Sequence, residues 1–227
     1  MQVKIIVADT ETTGLRKPPP PPATGVVQVA YLEIDANLNI LKVFIELVDP
    51  GCPIEGTAEA VHGISDDMVL GKPKLAEAFR IAEPVLFIAH NAKFDLPRLA
   101  EGMDNCVDVL CTLEAARKYL KGQPNNKLLT LIRHFGLEEH QAHDALGDVR
   151  MALSVLKLLL ETTGFTLQEL VERTKVPIVP TTINFGRHAG KSLKDLPTQY
   201  IDWLLALSDL NAGLRKGLEL QLTMRGR

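Results

Sequence analysis

No stretch of this 227-residue chain is apolar for long enough to cross a bilayer. The chain opens on Met1-Gln2-Val3-Lys4 and passes straight into an apolar run, without the charged and then apolar leader of a secreted protein. Its three cysteines (Cys52, Cys106 and Cys111) are too few for a disulfide framework and lack metal-ligand spacing. Reduced thiols and a cytoplasmic setting are the expectation. No internal repeat is visible, which leaves repeat architectures aside. A basic excess is missing too, since the net charge is −3. That total hides a split. Residues 165–227 carry nine Lys/Arg against six Asp/Glu, a net +3, so residues 1–164 stand at −6. A protein that holds a polyanion at a metal site would place acids and bases in this way, and a mildly basic surface without function would look the same.

With 46% hydrophobic and 23% charged residues, the chain can bury a sizeable core. The stretch from Val3 to Leu15 organises the reading. Val3-Lys4-Ile5-Ile6-Val7-Ala8 predicts a buried strand that runs through Asp9-Thr10-Glu11 and stops at Thr12-Thr13-Gly14. Side chains alternate along a strand, so Asp9 and Glu11 share a face and Thr10 takes the other. Paired carboxylates repel in a dry site and favour a divalent cation, with oxygen-only donors suiting Mg²⁺ or Mn²⁺. Alone, the pair is a weak signal and reads first as a solvated strand end.

Prolines 18 to 22 predict a stiff polyproline segment, either a rim or spacer or a docking ligand for a partner protein. Val26–Ile34 and Ile40–Val48 predict two strands joined by a turn at Asp35–Asn39, which gives an antiparallel meander with the first. Short helices are expected at Thr57–His62, Ser65–Leu70 and Lys74–Ala82, and a buried strand at Val85–Ala89. The strand is followed by His90-Asn91-Ala92-Lys93-Phe94-Asp95, where Asp95 reads as the cap of a helix opening at Leu96-Pro97 or as a ligand at a strand end. A strand near Val107–Leu110 and helices at Leu113–Leu120 and Leu128–Phe135 come next. A long helix starts near His143–Asp148, with Ala145, Val149, Ala152, Leu153, Leu156, Leu159 and Leu160 on one stripe, and ends near Gly164. His143 and Asp148, five apart, diverge by about 140° on a continuous helix, so both reach one site only if His143 precedes it. After a linker from Val176 to Thr182, helices at Gln199–Leu207 and Leu214–Leu222 predict a small appended module.

Three signatures follow one another: Asp9-x-Glu11-Thr12-x-Gly14-Leu15, His90-Asn91-Ala92-x-Phe94-Asp95, and His143-x-Ala145-x-x-Asp148. In this order and at these separations the chain resembles the DEDDh exonuclease family. Val61-His62-Gly63-Ile64-Ser65 is similar to the family's substrate-side histidine segment. Phe185-Gly186 through Gly190-Lys191, with Tyr200-Ile201-x-Trp203-Leu204, resembles the tail of its exodeoxyribonuclease X branch. The proline insertion is no part of that pattern, Gln28 stands where relatives often have Glu, and His188 stands where the tail often has an aromatic.

The resemblance implies an α/β, ribonuclease-H-like fold: a mixed five-stranded sheet flanked by helices. It assigns residues 1–175 to the exonuclease domain and 176–227 to the appended module. It further implies two Mg²⁺ or Mn²⁺ ions held by Asp9, Glu11, Asp95 and Asp148, with His143 as general base. Thr12, Leu15 and His62 would meet the terminal nucleotide. The implied activity is hydrolysis of phosphodiesters from a free 3′ end to release 5′-mononucleotides, in DNA repair or proofreading. DNA is favoured over RNA because of the tail, where Arg187, Lys191 and Lys194 are candidate nucleic-acid contacts. A 3′–5′ exoribonuclease and a non-catalytic tethering protein are the alternatives.

Overall fold

The structure is a computed structural model that describes residues 3–14, 25–175 and 182–225. Leu15, the prolines 18 to 22 and the linker residues 176–181 lie outside the described residues. The chain divides into two compact units, one ending at Thr174 and the other beginning at Lys175.

The first unit is built on a five-stranded sheet in the order β3-β2-β1-β4-β5. Its strands are β1 (Lys4–Thr12), β2 (Val26–Ile34), β3 (Ile40–Leu47), β4 (Ile81–Ala89) and β5 (Met103–Cys111). Strands β1, β2 and β3 form the expected antiparallel meander, whereas β4 and β5 run parallel to β1. The sheet is therefore mixed, in agreement with the expectation. The turn before β3 is an Asx turn in which Asp35 Oδ1 accepts the Asn37 and Asn39 amides at 2.8 and 2.9 Å. Strand β1 is buried on both faces: Ile6, Val7 and Ala8 have no exposed surface.

The helices of this unit are α1 (Gly56–His62), α2 (Asp66–Val69), α3 (Leu75–Ala78), α4 (Ala92–Leu99), α5 (Thr112–Tyr119), α6 (Leu128–His134), α7 (Ala145–Thr163) and α8 (Leu167–Thr174). Helix α7 keeps the predicted stripe inward and also buries Met151 and Val155. It packs on β1 and β2 and against α5 and α6, so it is covered on more than one side. Full burial of each of its Val, Leu and Met side chains contributes about 1.5–3 kcal/mol, which makes α7 the pillar that fixes whatever its first turn carries. Gly164 ends it with a left-handed φ of 67°.

Two local expectations are corrected. The helix expected over Lys74–Ala82 is one turn long, because Phe79 is extended and the chain enters β4 at Ile81. The buried Phe79 ring lies against Gly102, where a Cβ would overlap it, and this contact pins the start of the strand instead of a helix. Helix α4 begins at Ala92 rather than at Leu96, because Asn91 takes φ 83° and turns the chain directly out of β4. Asp95 thus stands within the helix and does not cap it.

The second unit holds α9 (Thr198–Leu205) and α10 (Ala212–Met224) around a small core that includes Ile183, Leu193, Tyr200, Leu204 and Leu218.

Candidate active site

The site is assembled at the C-terminal end of β1. Alternation along the strand turns Asp9 and Glu11 to one side and buries Thr10 on the other, as the sequence predicts. Helix α7 brings Asp148 to the same place in its first turn. One carboxylate oxygen from each of Asp9, Glu11 and Asp148 can be chosen so that all lie within 4.8 Å of one another. His143 precedes the helix, as its spacing from Asp148 requires, and holds a left-handed φ of 60°. Asp144 is the N-cap and accepts the Gly147 amide at 3.1 Å.

Asp95 lies outside the close trio. It is buried at 2% exposure, and its Oδ1 accepts the Thr10 hydroxyl at 2.8 Å and the Thr10 amide at 3.2 Å. The strand residue that faces away from the cluster is therefore the one that holds the fourth carboxylate.

Burial and mutual repulsion act together on these acids. Burial first, then the charges of Asp95, Asp148, Glu11 and Asp144, raise the Asp9 carboxyl well above the usual range. Burial, reinforced by Asp148, Asp144 and Asp95, lifts Glu11 to about 8. Asp95 rises to about 7 through burial, against the pull of the two Thr10 hydrogen bonds and Arg98. Asp148 rises to about 6 through burial, eased by the neighbouring His143. So many oxygen donors, held close and forced toward their protonated forms, are suited to a hard divalent cation that would restore their charge.

Beside the trio a cleft of about 510 Å³ is lined by Glu11, Thr12, Val61, His62, Phe94 and His143, among others. His62 Nδ1 accepts the Ile64 amide at 3.0 Å, so the ring proton is on Nε2 and is donated to the Thr12 carbonyl at 3.1 Å. Burial holds the His62 pKa below the usual histidine value. With both nitrogens taken by backbone, this ring offers a ligand only its face and carbon edge. The Thr12 hydroxyl donates to the Gly14 carbonyl at 3.0 Å and keeps only acceptor capacity toward the cleft. Arg187, Lys191 and Lys194 are all exposed on the second unit, where the Arg187 guanidinium lies 5.2 Å from the centre of the Tyr200 ring.

The sequence reading missed several residues of the site. Gln28 is 8% exposed and its Oε1 accepts the Ala145 amide at 2.9 Å. Its departure from Glu was the available signal. Val61 of the predicted histidine segment walls the cleft from α1, where the unpredicted Thr57 and Ala58 join it, and Asp144 adds charge to the cluster. Nothing in the types of Thr57, Ala58 or Asp144 marks them. The half-buried His90 joins the Thr112 hydroxyl at 3.0 Å to the Asn126 carbonyl at 2.9 Å.

Known proteins resemble this chain over most of its length. Exodeoxyribonuclease 10 of Escherichia coli K12 is 29% identical over 206 residues, which cover 87% of this chain and 89% of that one. A DNA polymerase III subunit epsilon-like protein of Rhodobacter capsulatus is 35% identical over 182 residues, 73% of this chain and 25% of the relative. Among solved structures, Exonuclease X in complex with 5′ overhanging duplex DNA superposes with a TM-score of 0.61 at 26% identity, over 75% of this chain and 99% of that one. Residues 6–156 match the RNase T family, described as exonuclease, and that span includes Asp9, Glu11, Asp95, His143 and Asp148. The chain belongs to the RNase T exonuclease family and is a 3′–5′ exonuclease.

Proposed function

We propose that this exonuclease acts on DNA, removing 5′-mononucleotides from a free 3′ end, in repair or proofreading. The observation that carries the reading is the meeting of Asp9, Glu11 and Asp148 within 4.8 Å, with His143 at the edge of the same cleft. DNA as substrate is supported by the exodeoxyribonuclease 10 likeness, which extends over 87% of the chain, and by the likeness to a protein solved on duplex DNA. In this reading residues 1–175 are the exonuclease domain and 176–227 an accessory module whose Arg187, Lys191 and Lys194 touch the nucleic acid.

Asp9, Glu11 and Asp148, with Asp95 behind them, would hold Mg²⁺ or Mn²⁺, two ions in all. Bound there, the ions supply charge stabilisation at the scissile phosphate and at the oxygens that attack and leave it. His143 takes a proton from the attacking water, an imidazole being suited to that transfer near neutrality. Water adds to phosphorus, the P–O3′ bond breaks, and the leaving 3′ oxygen takes a proton from solvent, so that the shortened strand ends in a hydroxyl while His143 returns its proton to solvent. Thr12, His62 and the walls of the cleft hold the departing nucleotide, the His62 ring by contact of its face. Thr10 keeps Asp95 oriented.

Digestion of 5′-end-labelled single-stranded DNA and matched RNA, with Mg²⁺ and with EDTA, tests the reading. The expected result is stepwise shortening of the DNA from its 3′ end, release of 5′-mononucleotides, slower loss of RNA and no reaction in EDTA. Shortening from the 5′ end, or equal rates in EDTA, would overturn it.

A further inference from the structure

A second cleft, of about 330 Å³, opens on the other side of the catalytic histidine and is lined by Lys127, Thr130, Arg133, Ala142, His143 and Asp148, among others. It shares His143 with the first cleft, so the two meet at that residue. Their chemistry differs. The first has Glu11 as its one charged acid and no Lys or Arg, and it offers small polar and apolar walls. The second places Lys127 and Arg133 beside Asp148.

Arg133 is held by Glu139 through Nε at 2.9 Å and Nη2 at 2.7 Å. Lys127 is exposed and forms no ion pair among the described residues. The segment that carries it is fixed. His90 grips the Asn126 carbonyl at 2.9 Å, and the Asn125 side chain accepts the Lys127 amide at 2.9 Å. An unpaired ammonium on a fixed backbone beside the reaction centre is placed for a ligand of opposite charge.

A 3′–5′ exonuclease must hold its strand on both sides of the bond it cuts. The departing nucleotide brings the scissile phosphate, and the continuing strand brings one further phosphate per nucleotide. A wall without cations suits a nucleoside, and a wall with cations suits the backbone. Resting on the exonuclease reading above, we infer that the Lys127–Arg133 cleft is the subsite for the continuing strand, with the Lys127 ammonium on a backbone phosphate upstream of the scissile one.

The test compares binding of a 5′-fluorescent dT12 and of dTMP to the full chain in EDTA, by anisotropy and calorimetry, for wild type, K127E and K127R. K127E is expected to weaken dT12 at least tenfold and dTMP less than twofold. The slope of log affinity against log salt should fall by about 0.7, the value for one ammonium withdrawn from a single-strand phosphate. K127R should restore both. A K127E protein that binds dT12 as wild type does, or that loses dT12 and dTMP equally, overturns the assignment. Hydrolysis of unlabelled dT12 by wild type with Mg²⁺ separates the two readings. A chain that binds through Lys127 but never cleaves sinks only the parent reading, and one that cleaves but is indifferent to K127E sinks only this one.

Discussion

The Gln28 side chain accepts the Ala145 amide at 2.9 Å, joining residues 117 apart in sequence. Gln28 pairs across the sheet with Glu11, and Ala145 opens α7 between His143 and Asp148. One buried hydrogen bond therefore ties the strand next to the acidic pair to the helix that brings the other two site residues. Gln28→Ala leaves the Ala145 amide without its partner, at a cost of about 1–3 kcal/mol. Urea unfolding should show that loss, with hydrolysis falling alongside, and Gln28→Glu, which keeps an acceptor, should lose less. Equal midpoints for Gln28→Ala and wild type would show that the bond does not fix the helix.

Thr10 serves Asp95 through both its hydroxyl and its amide. Thr10→Val keeps the shape of the side chain and the amide bond but removes the hydroxyl donor. A hydrogen bond to a carboxylate contributes about 1.5–3 kcal/mol, and its loss should raise the Asp95 pKa further, since the Thr10 bonds are what lower it. The expected outcome is weaker Mn²⁺ binding at pH 7 by calorimetry and recovery of most of the loss at pH 8.5. Equal Mn²⁺ affinity at pH 7 would remove Thr10 from the machinery.

The raised carboxyl groups set a direction for stability against pH. Glu11 at about 8, Asp95 at about 7 and Asp148 at about 6 hold protons that the unfolded chain releases near its ordinary carboxylate values of 4.5 and 3.8. The folded state binds the more protons in that window, so stability is fully present below about pH 4 as far as these groups decide it. It is lost as pH rises through 6, 7 and 8. Thermal unfolding in EDTA should therefore show a midpoint that falls from pH 5.5 to 8.5, and Mg²⁺ or Mn²⁺ should raise it most at the upper end. Calorimetry in buffers of different ionisation enthalpy should register proton release on metal binding. A midpoint in EDTA that climbs through this range would contradict the placement of the acids.

His143 holds φ 60°, a conformation that most side chains avoid and Asn tolerates. His143→Ala should lower turnover by about two to four orders of magnitude, the usual range for a lost general base. His143→Asn should lose as much turnover while keeping the wild-type melting temperature. Near-wild-type hydrolysis by either folded variant would exclude the role.

Much of this arrangement is legible in the chain itself. Strand alternation places Asp9 and Glu11 together, and the five-residue step from His143 to Asp148 requires the histidine to precede α7. Short-range geometry governs both, and a sequence records short-range geometry. Asp95 follows the predicted strand, but it stands within a helix that opens earlier than Leu96-Pro97 suggests, because a positive φ at Asn91 is a backbone choice that the residue type permits without announcing. Gln28 and Thr10 act over 117 and 85 residues of separation. Their partners stand on helices packed against the sheet, Asp95 in α4 and the Ala145 amide at the start of α7, and no local pattern encodes that packing. Thr57 and Ala58 escape notice in the sequence for the same reason.

Gly147 offers the sharpest test of how the histidine loop is held. It lies in the first turn of α7, where Ala is the better helix former by about 1 kcal/mol. A Cβ there would collide with the carbonyl oxygen of Gln141, part of the backbone that leads into His143, and no flexible side chain can yield in its place. Overlap with packed backbone costs about 1–3 kcal/mol, which outweighs the propensity gain unless the loop moves. Movement would carry His143 with it. Gly147→Ala is therefore expected to lower the melting temperature and to reduce turnover on dT12 more than tenfold, while Gly136→Ala serves as a distant control, strained by its own left-handed φ of 64° but free of close neighbours. A Gly147→Ala protein both more stable and fully active would mean that residues 141–143 do not pass over the first turn of α7, and the position of His143 would have to be drawn again.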